Sequence, residues 1–181
     1  MVYRLISAMI SCVKLSMMIT GAASELDSVQ YLYLRELSEP RDNSLRLVVE
    51  EAVVNRRGKT PELLSPELAS ILNDSWPIEP VEGCRVFQIY WKRCAAYLVT
   101  EEVVGSNAAT GYDDELYTGR LLRVYNKSHF LEHLARDTGG HIEPFQHYKL
   151  ICLNHLIDVA AYAPPEVRLL ASHSTEHSQT Q

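Results

Sequence analysis

Short segments in which large apolar residues alternate with polar ones restrict the possible folds of this chain more than any other feature. The clearest pair runs from Cys84 to Trp91 and from Ala95 to Val104, with Lys92-Arg93-Cys94 between them. Alternation with a period of two places every second side chain on one face of a β-strand. The pattern therefore predicts a hairpin about a tight turn. One face of its first strand carries three large side chains: Phe87, Ile89 and Trp91.

Similar segments predict further strands on both sides of this hairpin. In chain order they are 29–37, 45–54, 119–125 and 147–153, the last continued by 156–162. Turn-forming residues at 38–43 predict a hairpin loop between the first two strands, and Pro164-Pro165 is expected to end the last one. Together with the helices below, these strands predict an α+β fold with a mainly antiparallel sheet of about six to seven strands.

One helix is clear in the sequence, at 128–137, where Ser128 is a favourable N-cap and Gly139 a favourable C-terminal cap. Its apolar arc, which we expect to pack on the sheet, contains Phe130, Leu131, Leu134 and Ala135. Its opposite arc, which we expect to face solvent, contains His129, Glu132, His133 and Arg136. A shorter helix is predicted at 66–73, with Pro66 at its first position.

The length of 181 residues suits one domain, which we place at 25–171, followed by a disordered polar tail at 172–181. The net charge of −6 creates no positive field that would attract phosphate backbones, so nucleic acid is not an expected partner. The acidic cluster Asp113-Asp114-Glu115 lacks the pattern of a calcium loop and is expected to be a solvated loop tip.

The four cysteines are widely spaced and form no C-x-x-C pair: Cys12, Cys84, Cys94 and Cys152. This spacing excludes a zinc ribbon and a redox motif. No disulfide is expected between Cys84 and Cys94. Reduced thiols packed as small apolar groups are typical of a cytoplasmic protein.

The first 24 residues have two interpretations. Arg4, the apolar run 5–13 and the small residues at 21–24 resemble a secretory signal, which implies a secreted or periplasmic protein. Lys14, however, interrupts the apolar core, which favours a frayed extension before a start near Met17 or Met18, and a cytoplasmic location. The apolar run is too short to span a bilayer, and no other segment predicts a membrane span.

The pentapeptide His129-Phe130-Leu131-Glu132-His133 has the spacing H-x-x-E-H. Histidines four residues apart on a helix place two nitrogens on one face, within reach of one metal ion. The motif resembles that of the inverzincin metallopeptidases, which implies zinc held by His129 and His133, with Glu132 as the base that activates water. A catalytic zinc needs a third protein ligand, and the late glutamates Glu143, Glu166 and Glu176 lie on no predicted helix. We therefore interpret the match as coincidental.

Two other groups of polar residues contain side chains that can bind a metal or act as a nucleophile. His147 and His155 would lie about 26 Å apart along one strand, too far for one metal ion, and His155 is predicted to be a hydrogen-bonded core residue. The residue types of a cysteine nucleophile set occur at Cys152, Asn154, His155 and Asp158. Cys152 and His155 have opposite strand parity, so no Cys–His pair is expected.

The last third of the chain also shows a recurring pattern. It consists of Tyr125-x-Lys127-Ser128-x-Phe130-Leu131, then Cys152-Leu153-Asn154-His155-x-Ile157-Asp158-Val159, then Pro164-Pro165. This pattern resembles a family of small uncharacterised bacterial proteins. The resemblance implies a strand-helix-strand unit in which the positions of His129 and His133 are not fixed as histidine, and it implies no activity.

These observations predict a small soluble non-enzymatic binding or accessory protein, immunity-like or regulatory in role, with another protein as its partner and no cofactor. The sequence contains no phosphate loop, dinucleotide fingerprint or nucleophile elbow. The alternative is a zinc-dependent hydrolase that uses the H-x-x-E-H motif at 129–133.

Overall fold

The computed structural model describes residues 21–56, 76–103, 114–139 and 144–172. These residues form two five-stranded antiparallel sheets and two helices. The predicted α+β class and the antiparallel pairing are confirmed, whereas the strands expected in one sheet are divided between two. The predicted helix at 66–73 and the predicted tail beyond Ser172 lie outside the described residues.

The helices are α1 (Gly21–Ser28) and α2 (His129–Asp137). The strands are β1 (Tyr31–Ser38), β2 (Leu45–Val54), β3 (Ile78–Glu79), β4 (Arg85–Trp91), β5 (Cys94–Glu101), β6 (Leu116–Thr118), β7 (Leu122–Lys127), β8 (Gln146–Ile151), β9 (His155–Ala161) and β10 (Glu166–Ser172). Sheet 1 has the order β1-β2-β4-β10, with β3 paired to β2, and sheet 2 has the order β5-β9-β8-β7-β6. Within the described ranges, no helix is long and apolar enough to cross a bilayer.

Strands β4 and β5 belong to different sheets, so the hairpin predicted between them is wrong. β4 pairs with β2 and β10, whereas β5 pairs with β9. Lys92-Arg93 is a crossover between the sheets, and the backbone N–H of Cys94 donates to the carbonyl oxygen of Asn43 at 2.7 Å. Alternation determines which face of a strand is buried, but it does not determine the neighbouring strand.

The continuous strand predicted from 147 to 162 is also wrong. β8 and β9 form an antiparallel hairpin, with His147 opposite Ala160, and the chain reverses between Ile151 and His155. After Pro164-Pro165 the chain forms β10, which was not predicted and which pairs with β4. Ser172, expected to begin the tail, lies in β10 opposite Arg85. α1 (Gly21–Ser28) likewise begins within the predicted amino-terminal extension, which was expected to end at residue 24.

The two sheets pack through their inner faces. Trp91 of sheet 1 and Tyr148 of sheet 2 are 1% and 2% exposed, and their ring centroids lie 5.9 Å apart. The predicted apolar face of β4 is confirmed, because Phe87 and Ile89 are fully buried beside Trp91. Burial of each such side chain stabilises the fold by about 2 kcal/mol. The cysteines in the described ranges are buried free thiols: Cys84, Cys94 and Cys152.

Helix α2 lies on the outer face of sheet 2. Ser128 is its N-cap, and its Oγ accepts a hydrogen bond from the backbone N–H of Leu131 at 3.1 Å. Thr138 is the C-cap, followed by Gly139 with a positive φ of 67°. The predicted apolar arc is confirmed as the half-buried side, and the solvent side contains Glu132, His133 and Arg136. His129 is also half-buried, for the reason given below.

Candidate functional site

His129 lies between two carboxylates at the amino-terminal end of α2. Its Nε2 is 2.6 Å from Oδ1 of Asp114, and its Nδ1 is 3.2 Å from Oε2 of Glu132. Its backbone N–H donates to Oε1 of Glu115 at 2.8 Å. Asp114 and Glu115 were expected at a solvated loop tip, but both of them contact the helix, whereas Asp113 lies outside the described residues.

The charges of this contact shift the pKa values of its three side chains. Lys127 and then His129 lower the pKa of the Asp114 carboxyl to about 2. The hydrogen bond to Asp114 is the main cause of a raised pKa at His129 and at Lys127. The charges therefore tie the segment before β6 to the first turn of α2.

The predicted zinc ligands do not converge on a common point. His133 points its Nε2 toward Oδ2 of Asp137, at 3.4 Å, whereas His129 contacts Asp114 and Glu132. Among the residues that the structure describes, no group of three or more His, Cys, Asp or Glu side chains could hold a metal ion. Glu166 lies on β10 in sheet 1. The described residues do not fit a catalytic zinc, because the motif supplies two separated ligands.

Beneath α2, a buried hydrogen-bonded relay joins three elements. Oγ of Ser128 lies 2.7 Å from Nδ1 of His147 on β8, and Nε2 of His147 lies 2.8 Å from Oδ1 of Asp158 on β9. The three residues are 6%, 1% and 7% exposed. The imidazole stacks on Tyr125, with centroids 4.2 Å apart, and contacts Phe130 at 5.1 Å.

The relay contains the residue types of a Ser-His-Asp triad, but its geometry fits a structural role better. The Ser128 hydroxyl caps α2 and is enclosed, and it contacts Nδ1 of the histidine, whereas the triad serine of proteases contacts Nε2. Lys149 Nζ lies 3.3 Å from Oδ1 of Asp158 and supplies its countercharge. Buried polar groups of this kind need partners, and here the partners fasten α2 to sheet 2.

Sequence reasoning identified each member of the relay but assigned it another role. Ser128 was expected only as a cap, His147 was considered only as a metal ligand, and Asp158 as part of a nucleophile set. One signal was available. A carboxylate within the apolar stretch 156–161 must find a partner when that strand is buried. Its partner on another strand cannot be identified from spacing alone.

The cysteine nucleophile set is not assembled. Burial raises the pKa of the Cys152 thiol to about 12, so the thiol stays protonated. Asn154 instead joins the sheets, because its side chain exchanges two hydrogen bonds with the backbone of Leu34, at 2.9 and 3.0 Å. His155 is half-buried, and within the described part of the chain its Nδ1 has no hydrogen-bond partner. The predicted core position is therefore wrong for His155, whereas His147 is a buried histidine with both ring nitrogens hydrogen-bonded.

The described surface also has shallow clefts. One of about 310 Å³ lies at the end of sheet 2, where Arg123, Lys149 and Glu102 surround an apolar floor that includes Leu32 and Leu156. Arg123 is already packed over the ring of Tyr117, 4.4 Å from its centroid. Lys149 is bonded to Asp158. Two of the three charged groups are thus engaged within the chain.

The edge of sheet 2 formed by β5 is the more distinctive surface. Among the described residues, β5 pairs only with β9. Leu98 is 51% exposed and Val99 is 38% exposed. Their cross-strand neighbours are Asp158 and Ile157, so the two side chains lie on opposite faces of the sheet. No charged residue, proline or glycine occurs from Cys94 to Thr100.

The other sheet edges differ from β5. β1 carries Arg35 and Glu36, and β10 carries Glu166 and Arg168. β6 has only three residues. Charges and short length are common means by which proteins discourage pairing at an edge. β5 has neither along most of its eight residues.

Comparison of the chain with protein-family models, with curated proteins and with solved structures finds no match.

Proposed function

We propose that this chain is a small non-enzymatic protein-binding domain, in which β5 receives an extended strand of a partner protein. The observation that carries the proposal is the apolar, uncharged edge from Ala96 to Thr100, with Leu98 and Val99 exposed on its two faces. Strand addition uses the backbone groups of such an edge for affinity and the alternate side chains for selectivity.

The energetics favour an apolar strand as the partner segment. Leu98 and Val99 are each about half exposed, so covering them stabilises a complex by on the order of 1 kcal/mol per side chain. New backbone hydrogen bonds add to this gain. The carbonyl oxygen of Asn43 already accepts from the backbone N–H of Cys94, so the proposed pairing begins after this residue. Within the paired stretch, the hydroxyl of Tyr97 donates to Glu39 of the same β1–β2 loop.

The alternative, a zinc-dependent hydrolase, has less support. It requires His129 and His133 to converge on one ion, but each imidazole contacts a different carboxylate. Glu132, the base in that alternative, lies 3.2 Å from Nδ1 of His129, with which it forms an i,i+3 pair. Protein binding without catalysis explains the exposed edge, which a hydrolase would not require.

Photo-crosslinking in the cells that express the chain natively tests the proposal. p-Benzoylphenylalanine replaces Thr100 on the edge or, as the control, Leu169, which is 47% exposed on β10. We expect an adduct from position 100 that maps to one extended segment of a partner chain. Adding Leu98→Lys should reduce its yield about tenfold, because it places a charge in the paired edge. Equal adducts from positions 100 and 169, or a yield unaffected by Leu98→Lys, would contradict strand addition at β5.

A further inference from the structure

The two ends of β5 carry opposite charges. Lys92 and Arg93 precede the strand, Glu101 ends it and Glu102 follows it, while residues 94–100 are uncharged. The exposed apolar side chains Leu98 and Val99 lie between these charged ends. A strand that is basic at one end and acidic at the other is complementary to itself when paired antiparallel. In a parallel pairing, by contrast, like charges lie side by side.

We infer that the strand received by β5 is the β5 of a second copy of this chain, paired antiparallel about a two-fold axis at Leu98. The inference rests on the proposed function and names its partner. In this register Leu98 lies opposite its own copy, and Tyr97 lies opposite Val99 of the second copy. Ala96 lies opposite Thr100, so every directly opposed pair in the open part of the edge is uncharged.

The same register brings the charged ends together. Glu101, the last residue of the strand, lies opposite Ala95 of the other copy, so it is two residues, or roughly 7 Å along the strand, from Arg93. Both side chains are long enough to span that offset. Because the axis is two-fold, this contact occurs twice. It stabilises the antiparallel pairing and disfavours a shifted register, which would place Glu101 against the apolar centre.

Symmetry also favours β5 over the opposite edge of sheet 2. β6 exposes Leu116 and Tyr117, so pairing of β5 with β6 of another copy is conceivable on hydrophobic grounds. That contact is heterologous, and repeated addition would generate an open chain of sheets. Pairing of β5 with itself is isologous and closes as a dimer in which sheet 2 continues from one copy into the other.

Cysteine trapping in the full-length chain tests this register. Leu98→Cys places two thiols directly opposite each other at the axis, within the range that a disulfide can bridge. Thr100→Cys is the matched control, because the two copies of position 100 lie about 13 Å apart in the same register. With oxidised glutathione, which takes up the two electrons, we expect a covalent dimer from Leu98→Cys. Neither Thr100→Cys nor the unsubstituted chain should form one.

Sedimentation equilibrium supplies a measurement that needs no new disulfide. The unsubstituted chain should dimerise reversibly, and Leu98→Lys should weaken the dimer at least about tenfold, because it faces two ammonium groups at the axis. Leu169→Lys on β10 should leave the dimer unchanged. The circular dichroism spectra of Leu98→Lys and Leu169→Lys should match that of the parent chain, since Leu98 and Leu169 are both about half exposed.

The outcomes separate this inference from the proposed function. A chain that remains monomeric at ~100 µM, yet gives position-100 adducts with a different protein, would overturn the dimer and leave strand addition at β5 standing. A dimer that is weakened by Leu169→Lys and unaffected by Leu98→Lys would overturn both. Equal disulfide yields from Leu98→Cys and Thr100→Cys would overturn the register.

Discussion

Nδ1 of His147 lies 2.7 Å from Oγ of Ser128, so a histidine on strand β8 is bonded to the residue that caps helix α2. The other ring nitrogen is bonded to Asp158 on β9. One imidazole therefore links the helix to two neighbouring strands of sheet 2. This relationship explains how a helix of nine residues, none of them fully buried, is held in place.

Ser128→Ala should destabilise the fold by about 2–4 kcal/mol. The substitution removes the N-cap, which is worth about 1 kcal/mol, and leaves a buried histidine nitrogen without a partner, at a further cost of about 1–3 kcal/mol. Urea unfolding followed by circular dichroism measures the change. Thr138→Ala, at the exposed other end of α2, is the control and should cost less than about 0.5 kcal/mol. Equal losses in the two variants would show that the relay does not hold the helix.

The contact between Asp114 and His129 should be lost both at low pH and at high pH. The Asp114 carboxyl has a pKa lowered from 3.8 to about 2, so its stabilising contribution is present above pH 3.8 and is lost as the pH falls toward 2. His129 has a pKa raised above 6.5, so its contribution is complete below pH 6.5 and is lost as the pH rises through the raised value. The contact is strongest between these limits.

An NMR titration of the His129 ring measures this coupling. In Asp114→Asn the pKa of His129 should fall toward 6.5, because the main cause of its increase is removed. Asp137→Asn changes the carboxylate beside His133 and should leave the titration of His129 unchanged. If the pKa of His129 is the same in the parent and in Asp114→Asn, the carboxylate is not its partner in solution.

Gly119→Ala should cost more than Gly83→Ala, although the two glycines have nearly the same backbone conformation. Their φ values are 86° and 89°, so both substitutions carry the left-handed strain of about 1–2 kcal/mol. Only at Gly119 would the added Cβ overlap the carbonyl oxygen of Leu122, whereas the space at Gly83 is open. Thermal and urea unfolding should show an additional loss on the order of 1–3 kcal/mol at Gly119. Equal losses would mean that the turn before β7 relaxes without cost.

Metal analysis of protein purified without a histidine tag should find less than one zinc per chain. His129→Ala removes the contact with Asp114. Neither this variant nor His133→Ala should change the metal content. The reason is geometric, since the two imidazoles contact separate carboxylates. One zinc per chain that is lost in both variants would support the hydrolase and contradict the function proposed above.

Local structure was largely accessible from the sequence. The strand faces around Phe87 and Ile89, the cap at Ser128 and the two arcs of α2 depend on periodicities of 2 and 3.6 residues, which the chain displays directly. The pairing of strands could not be predicted from the sequence in the same way. β10 was missed because its alternation is weak: Val167 is buried, but the apolar residues Leu169 and Leu170 are both exposed, and the register with β4 shifts between Leu169 and Ala171.

The candidate sites show the same division. The H-x-x-E-H spacing correctly places His129 and His133 on one helix, but the direction of each imidazole depends on Asp114, 15 residues away, and on Asp137. The pairing of β5 with β9 could not be predicted, because the alternating pattern favoured a hairpin between β4 and β5. Exposure of Leu98 and Val99 follows from the crossover at Lys92-Arg93, which sends β5 to the other sheet.

The sequence by itself determined the α+β class, the buried faces of the main strands and helix α2, because these follow from short-range periodicity and capping. Only the tertiary structure decided that the strands form two sheets, that Ser128, His147 and Asp158 meet beneath α2, and that β5, among the strands described, pairs only with β9. Each of these depends on which distant segments lie side by side. Many strand pairings bury similar apolar area, so the choice is made by the packing of the whole core around Trp91 and Tyr148.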